Sequence, residues 1–203
     1  MKSFGTDCKT VRSESRRREQ MILYINACVR DGSRTRVLAE RLLAKLDEPV
    51  TEVRLSDISF VPTDEEYLTR RDGLLAGGHY EDPMFDLARQ FAAADRIVIA
   101  APYWDLSFPA VLKQYLEKIN VPGITFYYTQ DGVPRGLCRA KELCYVMTAG
   151  GTYVPQEFGF GYVETLAKNF YGIGEVRLVQ AVGLDIDGAD PEQILAEVER
   201  RIQ

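Results

Sequence analysis

The stretch M-I-L-Y-I-N-A-C-V-R-D-G-S-R-T, residues 21–35, decides the fold. Its first seven residues are a short apolar run that ends in a glycine-containing loop, a pattern typical of a buried strand. Beyond the loop, Leu38, Leu42 and Leu46 recur at a spacing of four, which predicts one face of a helix. The stretch therefore predicts a strand, a polar loop and a helix in close succession.

The same strand–helix succession recurs along the chain. Further strands are predicted at 51–55, 96–101, 142–148 and 175–182. Helices are predicted at 34–46, from Asp82-Pro83 to 94, from a Ser107 cap to 119, at 157–171 and from Asp190-Pro191 onward. Residues 56–82 are predicted to form a long polar loop with room for one helical turn. Apolar strands that alternate with helices indicate a parallel sheet covered on both faces. We therefore predict an α/β fold, a doubly wound five-stranded parallel sheet of order 2-1-3-4-5, with ligands at the carboxyl ends of its strands.

The composition and charge of the chain indicate what class of protein it is. The chain has 203 residues, of which 46% are hydrophobic and 27% charged, which is enough for one domain over 21–203. Residues 1–20 contain few large apolar residues and are expected to form a disordered tail. A net charge of -5 argues against nucleic-acid and anionic-membrane partners. No apolar run approaches the roughly 20 residues that span a bilayer.

The cysteines and the single histidine do not form a metal-binding pattern. Cys8, Cys28, Cys138 and Cys144 contain no C-x-x-C pair, and His79 lies in the polar stretch G-G-H-Y-E-D. A zinc site needs more ligands at closer spacing, so no metal is expected. Reduced thiols and a cytoplasmic location are the expectation, with His79 in contact with solvent.

The first loop has two chemical interpretations. Cys28, five further residues, Arg34 and Thr35 match C-x5-R-[S/T], in which a thiolate attacks phosphorus. Ser33, Thr35 and the N–H groups of the following helix could instead hold a phosphate that is not cleaved. The negative charge of Asp31 weighs against the phosphatase, as does the loose specification of so short a pattern. A capped helix without any ligand also fits this loop alone.

Two further loops lie at the same predicted edge of the sheet. The loop A-P-Y-W-D-L-S-F-P at 101–109 presents two large aromatic residues, which could form a platform for a flat ligand or merely cover a helix. The loop T-A-G-G-T-Y at 148–153 contains adjacent glycines, which permit a close approach of backbone to ligand or simply make a turn.

Together these loops resemble those of the flavodoxin-like NAD(P)H:quinone oxidoreductases and FMN-dependent azoreductases. P-Y-W-D-L-S-F-P-A-V-L-K (102–113) is similar to the azoreductase pattern P-M-Y-N-F-x-I-P-x-x-L-K. G-I-T-F-Y-Y-T-Q-D-G-V-P-R-G-L (123–137) resembles the insertion of that family, and T-A-G-G-T-Y resembles its S-x-G-G-x-x loop. The resemblance covers residues 21 to about 185 in the same order.

The resemblance assigns the site residues by position. A flavin phosphate would contact the first loop, at Cys28, Ser33, Arg34 and Thr35. The flavin ring would lie along the second and third loops, at Pro102, Tyr103, Trp104, Asp105, Leu106, Thr148, Ala149, Gly150 and Gly151. The substrate space would be bordered by Tyr128 and Tyr153, in a site shared across a homodimer interface. Asp105 departs from the asparagine of the family, and its carboxylate would disfavour an anionic reduced flavin if it faced the ring.

The function implied by the resemblance is an FMN-dependent NAD(P)H oxidoreductase. Such an enzyme holds FMN tightly and passes two electrons from NADH or NADPH, by ping-pong kinetics, to quinones, azo compounds or similar acceptors. The flavin does the chemistry, so no catalytic side chain is expected. A flavodoxin-type electron carrier and a Cys28-dependent phosphatase are the alternatives.

Overall fold

The computed structural model describes residues 20–202. The expected tail, apart from Gln20, lies outside the described residues and stays a prediction. Within residues 20–202, no helix is both long and apolar enough to cross a membrane.

Five parallel strands form the central sheet, and two short strands form a separate antiparallel hairpin. The strands of the sheet are β1 (Ile22–Asn26), β2 (Val50–Arg54), β3 (Arg96–Ala100), β6 (Glu142–Thr148) and β7 (Glu175–Ala181). Those of the hairpin are β4 (Phe126–Tyr128) and β5 (Pro134–Gly136). The order β2-β1-β3-β6-β7 confirms the predicted order 2-1-3-4-5 once the hairpin is set aside.

Helices cover both faces of the sheet. They are α1 (Arg34–Leu46), α2 (Glu65–Ala76), α3 (Asp86–Ala93), α4 (Ala110–Ile119), α5 (Phe160–Leu166) and α6 (Pro191–Arg201). Leu23 and Ile25 of β1 face one core, to which α3, α4 and α5 contribute. Ile22 and Tyr24 face the other core, which α1 and α6 cover. The side chains of a strand alternate between faces, so one continuous apolar run supplies both cores.

Two predictions about the helices are wrong: the cap of α4 and the extent of helix in the segment 56–82. Ser107 does not cap α4, because its hydroxyl donates to the Phe158 carbonyl at 2.6 Å, and the helix begins after Pro109 instead. The segment 56–82, expected to be a polar loop, contains the whole of α2. Its N-terminus is capped by Asp64, which accepts from the Tyr67 N–H at 2.9 Å. None of its residues is fully buried, and Leu74 and Leu75 are only half-buried against the core, so the helix has a weak apolar signal in the sequence.

The hairpin β4–β5 lies within the 123–137 insertion and packs on the end of the helical segment after β6. That segment continues from α5 into a wider π-helical turn at Ala167–Tyr171. A Cβ atom added to Gly136 would overlap the backbone of Tyr171 and Gly172, so only glycine allows this approach.

Candidate functional site

Four loops meet at the carboxyl edge of the sheet and enclose a cavity of about 210 Å³. They follow β1, β3, β6 and β7. The residues that line the cavity are Val29, Arg30, Gly32, Ser33, Arg34, Thr35, Pro102, Tyr103, Trp104, Thr148, Gly150 and Asp185. This is the position at which open α/β sheets bind ligands.

The first loop presents the N-terminus of α1 to this cavity. Asn26, fully buried at the end of β1, accepts from the Cys28 N–H at 3.0 Å and donates to Glu52 Oε1 at 2.8 Å. Ser33 then caps α1 by accepting from the Arg36 N–H at 3.4 Å. The first N–H groups of a helix have no intrahelical acceptor and carry the positive end of its dipole. The loop therefore presents free N–H donors of the kind that bind anions at helix N-termini.

Thr35 joins this loop to the end of β6. Its buried hydroxyl lies 2.7 Å from the hydroxyl of Thr148, which is also buried. One hydroxyl donates to the other, so one proton of the pair remains for a ligand. The contact fixes the distance between the anion-binding loop and the T-A-G-G loop.

The second loop forms an aromatic wall. Tyr103 is held by its N–H, which donates to Thr148 O at 3.0 Å, and by its hydroxyl, which donates to Pro155 O at 3.0 Å. The guanidinium of Arg30 lies 5.7 Å from the centre of the Trp104 ring, within range of a cation–π contact. An aromatic surface and a cation thus border the same opening.

A tight turn supports Trp104. The N–H and carbonyl groups of Trp104 and Ser107 pair with each other at 3.0 and 2.8 Å. The two residues between them, Asp105 and Leu106, have φ values of 48° and 68°. Positive φ at both central positions is the geometry of a type I′ turn, and a leucine there is strained. The side chains of Asp105 and Leu106 are exposed and do not line the cavity.

The T-A-G-G loop pairs with the loop after β7. The N–H groups of Gly183, Leu184 and Asp185 donate to the carbonyls of the facing strand end: Gly151 at 2.9 Å, Ala149 at 3.2 Å and Gly150 at 2.9 Å. A Cβ atom on Gly150 would overlap Oδ2 of Asp185. The glycine therefore permits the approach of a neighbouring loop, an outcome that sequence reasoning did not anticipate.

Asp185 is the functional candidate that sequence reasoning missed. Its Oδ1 lies 2.7 Å from an Arg34 terminal nitrogen, and the other terminal nitrogen of Arg34 donates to Leu184 O at 3.0 Å. The signal was present in V-G-L-D-I-D-G (182–188), which directly follows the last strand and so must lie at the same edge as the other three loops.

Cys28 does not take a place at the anion site. It is 4% exposed and packs in the core beneath α1, with its Sγ 3.8 Å from Ala100 O. Burial raises the pKa of the Cys28 thiol, so the thiolate is disfavoured. The proposed contact of Cys28 with a phosphate is therefore not supported by its position, and the nucleophile of the phosphatase alternative lacks both access and charge.

The structure brings together eight of the fifteen predicted site residues at the cavity: Ser33, Arg34, Thr35, Pro102, Tyr103, Trp104, Thr148 and Gly150. The others do not line it: Cys28, Asp105, Leu106, Ala149, Gly151, Tyr128 and Tyr153. Tyr128 and Tyr153 are 54% and 81% exposed on the single chain, and their role at a substrate space stays a prediction.

A doubly wound parallel sheet of order 2-1-3-4-5, with a cavity at its carboxyl edge, is the architecture of the flavodoxin-like fold. The family model described as the flavodoxin-like fold matches residues 20–203. The chain belongs to that family.

Several proteins with assigned names are similar to this chain in sequence or in structure. An FMN-dependent NADH:quinone oxidoreductase from Clostridium perfringens is 33% identical over 185 residues, 87% of this chain and 92% of that protein. A protein of the same name from Lachnoclostridium phytofermentans is 44% identical over 112 residues, 54% of this chain and 56% of that protein. The FMN complex of an FMN-dependent NADH-azoreductase from Bacillus anthracis has a TM-score of 0.75 at 22% identity, with 90% of this chain and 95% of that chain covered. Because the azoreductase is only 22% identical to this chain, the similarity between the two supports the fold alone.

Proposed function

We propose that this chain is an FMN-dependent NADH oxidoreductase that passes two electrons to quinones, azo compounds or similar acceptors. The observation that carries the proposal is the cavity itself, in which a cationic, N–H-rich end faces an aromatic wall. The relatives named as FMN-dependent NADH:quinone oxidoreductases support the same activity, since one of them aligns over 92% of its own length.

The residues present fit FMN. The N-terminus of α1, with Ser33 and Thr35, offers donors to a phosphate. Trp104 and Tyr103 would offer aromatic surface to the flat ring of the flavin, and the Thr148 hydroxyl would offer a polar contact in the same cavity. Bound FMN supplies the two-electron chemistry. The chain binds and orients the cofactor, and its aromatic wall excludes water from one side.

A homodimer belongs to this proposal. The cavity of about 210 Å³ is smaller than ligand pockets of about 300–1,000 Å³, so a second copy is expected to complete it. Large apolar side chains are exposed on the loops and the hairpin: Trp104, Leu106, Tyr127, Tyr128, Val133, Leu137, Tyr153 and Phe158. Their concentration on the loops and the hairpin supports an interface there. A cytoplasmic location is part of the same proposal, supported by buried, unpaired Cys28, Cys138 and Cys144.

Sedimentation tests the dimer. Tyr128→Ser is expected to shift the FMN-loaded protein toward monomer and to weaken quinone turnover, because it removes an exposed ring from the hairpin. Val61→Ser is the control, since Val61 is also exposed, at 62%, but lies outside both the hairpin and the cavity loops. A monomeric wild-type enzyme with full activity would contradict this part of the proposal.

Steady-state turnover tests the activity. Protein reconstituted with FMN is expected to oxidise NADH with menadione as acceptor, in the absence of any other protein. Parallel lines in double-reciprocal plots would identify ping-pong kinetics. FMN-loaded protein that shows no turnover until a partner protein is added would instead indicate an electron carrier of the flavodoxin type.

A further inference from the structure

A carboxylate lies on the wall of a cavity that is otherwise suited to an anion. Asp185 lines the cavity together with the N-terminus of α1. Its side chain is 65% exposed, and its Oδ1 is 2.7 Å from the guanidinium of Arg34, itself 38% exposed. A negative charge there opposes the attraction that the helix dipole and the arginine exert on a phosphate.

The backbone of Asp185 is held in this position. Its N–H donates to Gly150 O at 2.9 Å, and the neighbouring Leu184 N–H donates to Ala149 O at 3.2 Å. The absence of a Cβ at Gly150 leaves space for the Asp185 carboxyl group. These contacts hold the backbone of Asp185 at the edge of the cavity, and the contact with Arg34 directs its carboxylate toward the first loop.

Arg34 is the arginine of the first loop that this carboxylate engages. Arg36 lies 3.8 Å from Glu40 and donates to Asp31 O, and Arg30 lies over the ring of Trp104. Both terminal nitrogens of Arg34 contact the loop after β7, one at Asp185 and the other at Leu184 O. A phosphate at the N-terminus of α1 must therefore share Arg34 with Asp185.

We propose that Asp185 limits the affinity of this chain for the phosphate of its flavin, by sharing Arg34 and by repelling the dianion. The inference rests on the proposed function. It makes Asp185 a determinant of the discrimination between FMN and riboflavin, which share the ring and differ in the phosphate. It also predicts that bound FMN exchanges with free flavin faster in the wild-type protein than in a variant without this charge.

Dissociation constants of FMN and riboflavin, measured by quenching of flavin fluorescence, test the inference. Asp185→Asn keeps the shape of the side chain and removes its charge, and is expected to bind FMN about tenfold more tightly, with riboflavin affinity unchanged. Asp187→Asn removes a charge from the same exposed loop and is the matched control, with wild-type affinities expected for both flavins. The gain in FMN affinity caused by Asp185→Asn should become smaller as salt is added. It should also be smaller when the same substitution is made in an Arg34→Gln variant. Thermal unfolding followed by circular dichroism confirms that each variant is folded.

The outcomes separate the inference from the proposed function. Tighter FMN binding in Asp185→Asn alone supports the inference. Equal FMN affinity in wild type and Asp185→Asn overturns it and leaves the proposed function standing. Weaker FMN binding in Asp185→Asn also overturns it, because Asp185 would then be holding Arg34 in place for the phosphate. Failure of folded wild-type protein to bind either flavin overturns both.

Discussion

The Sγ atom of Cys28 lies in the core beneath α1, 3.8 Å from Ala100 O. Because burial raises the pKa of this thiol, it should resist alkylation in the native protein at neutral pH. Iodoacetamide is expected to label the Cys28 peptide in urea but not in buffer over the same time, as read by mass spectrometry. Cys28→Ala should retain NADH oxidation. Rapid labelling of native protein would restore the nucleophile interpretation.

Leu106 carries backbone strain at the rim of the cavity. Its φ of 68° places a bulky residue in the left-handed region, where a type I′ turn favours glycine. Leu106→Gly should therefore raise the free energy of unfolding by roughly 0.5–1 kcal/mol, because it relieves this strain. Leu137→Gly is the control, since Leu137 is similarly exposed, at 45% against 44%, but is not among the residues of positive φ. Leu137→Gly should lower the free energy of unfolding, as measured by urea denaturation of both variants. Destabilisation by both substitutions would contradict the account of the turn.

At the scale of single residues, the sequence predicts which residues lie near the carboxyl edge of the sheet, but not which of their side chains form hydrogen bonds with one another. Ser33 and Thr35 lie at the start of α1, beyond the loop after β1, and Trp104 lies in the loop after β3, so the ends of the apolar runs place them near the carboxyl edge. The pairing of Thr35 with Thr148 joins residues 113 positions apart. Such contacts depend on the side-chain packing of two loops, which no local pattern encodes.

At the scale of elements, the hairpin β4–β5 depends on one glycine. Gly136→Ala should lower the free energy of unfolding by about 2 kcal/mol or more, because the added methyl overlaps the backbone of Tyr171 and Gly172, which cannot rotate away as a side chain could. Gly174→Ala is the matched control, since a Cβ there meets no atom within 4 Å. Urea denaturation measures both, and equal small effects would show that the hairpin is not packed in this way.

Strands and helices differ in how far the sequence determines them. Strands β1, β3 and β6 are predictable because each is an apolar run buried in the core, whereas β2 and β7, at the edges of the sheet, mix apolar with charged residues and are mostly half-buried or exposed. Helix α2 is harder to predict because its apolar face is narrow: Tyr67, Leu68, Leu74 and Leu75 are only half-buried and stand among charged residues. Ser107 was misread as a cap because a serine before a helix can equally donate its hydroxyl to a distant carbonyl, here that of Phe158.

At the scale of the whole molecule, buried thiols link stability to alkaline pH. Burial raises the pKa of both Cys138 and Cys144 from 9.0 to about 12. Above pH 9 the unfolded thiols lose their protons while the folded ones keep them, so the unfolded state binds fewer protons and stability falls as pH rises. Urea unfolding under reducing conditions should show this loss, at least about 1 kcal/mol, between pH 8 and 10.5. Cys144→Ala should reduce the loss, and an equal stability at both pH values would contradict this account of the core.

The central claim is that the cavity at the sheet edge holds FMN for electron transfer from NADH to a small acceptor. One anaerobic measurement of the visible spectrum tests it directly. Protein incubated with FMN and passed through gel filtration should retain the flavin absorbance, lose it on addition of NADH and regain it on addition of menadione. A folded protein that retains no flavin, or whose flavin absorbance is unchanged by NADH, would contradict the account.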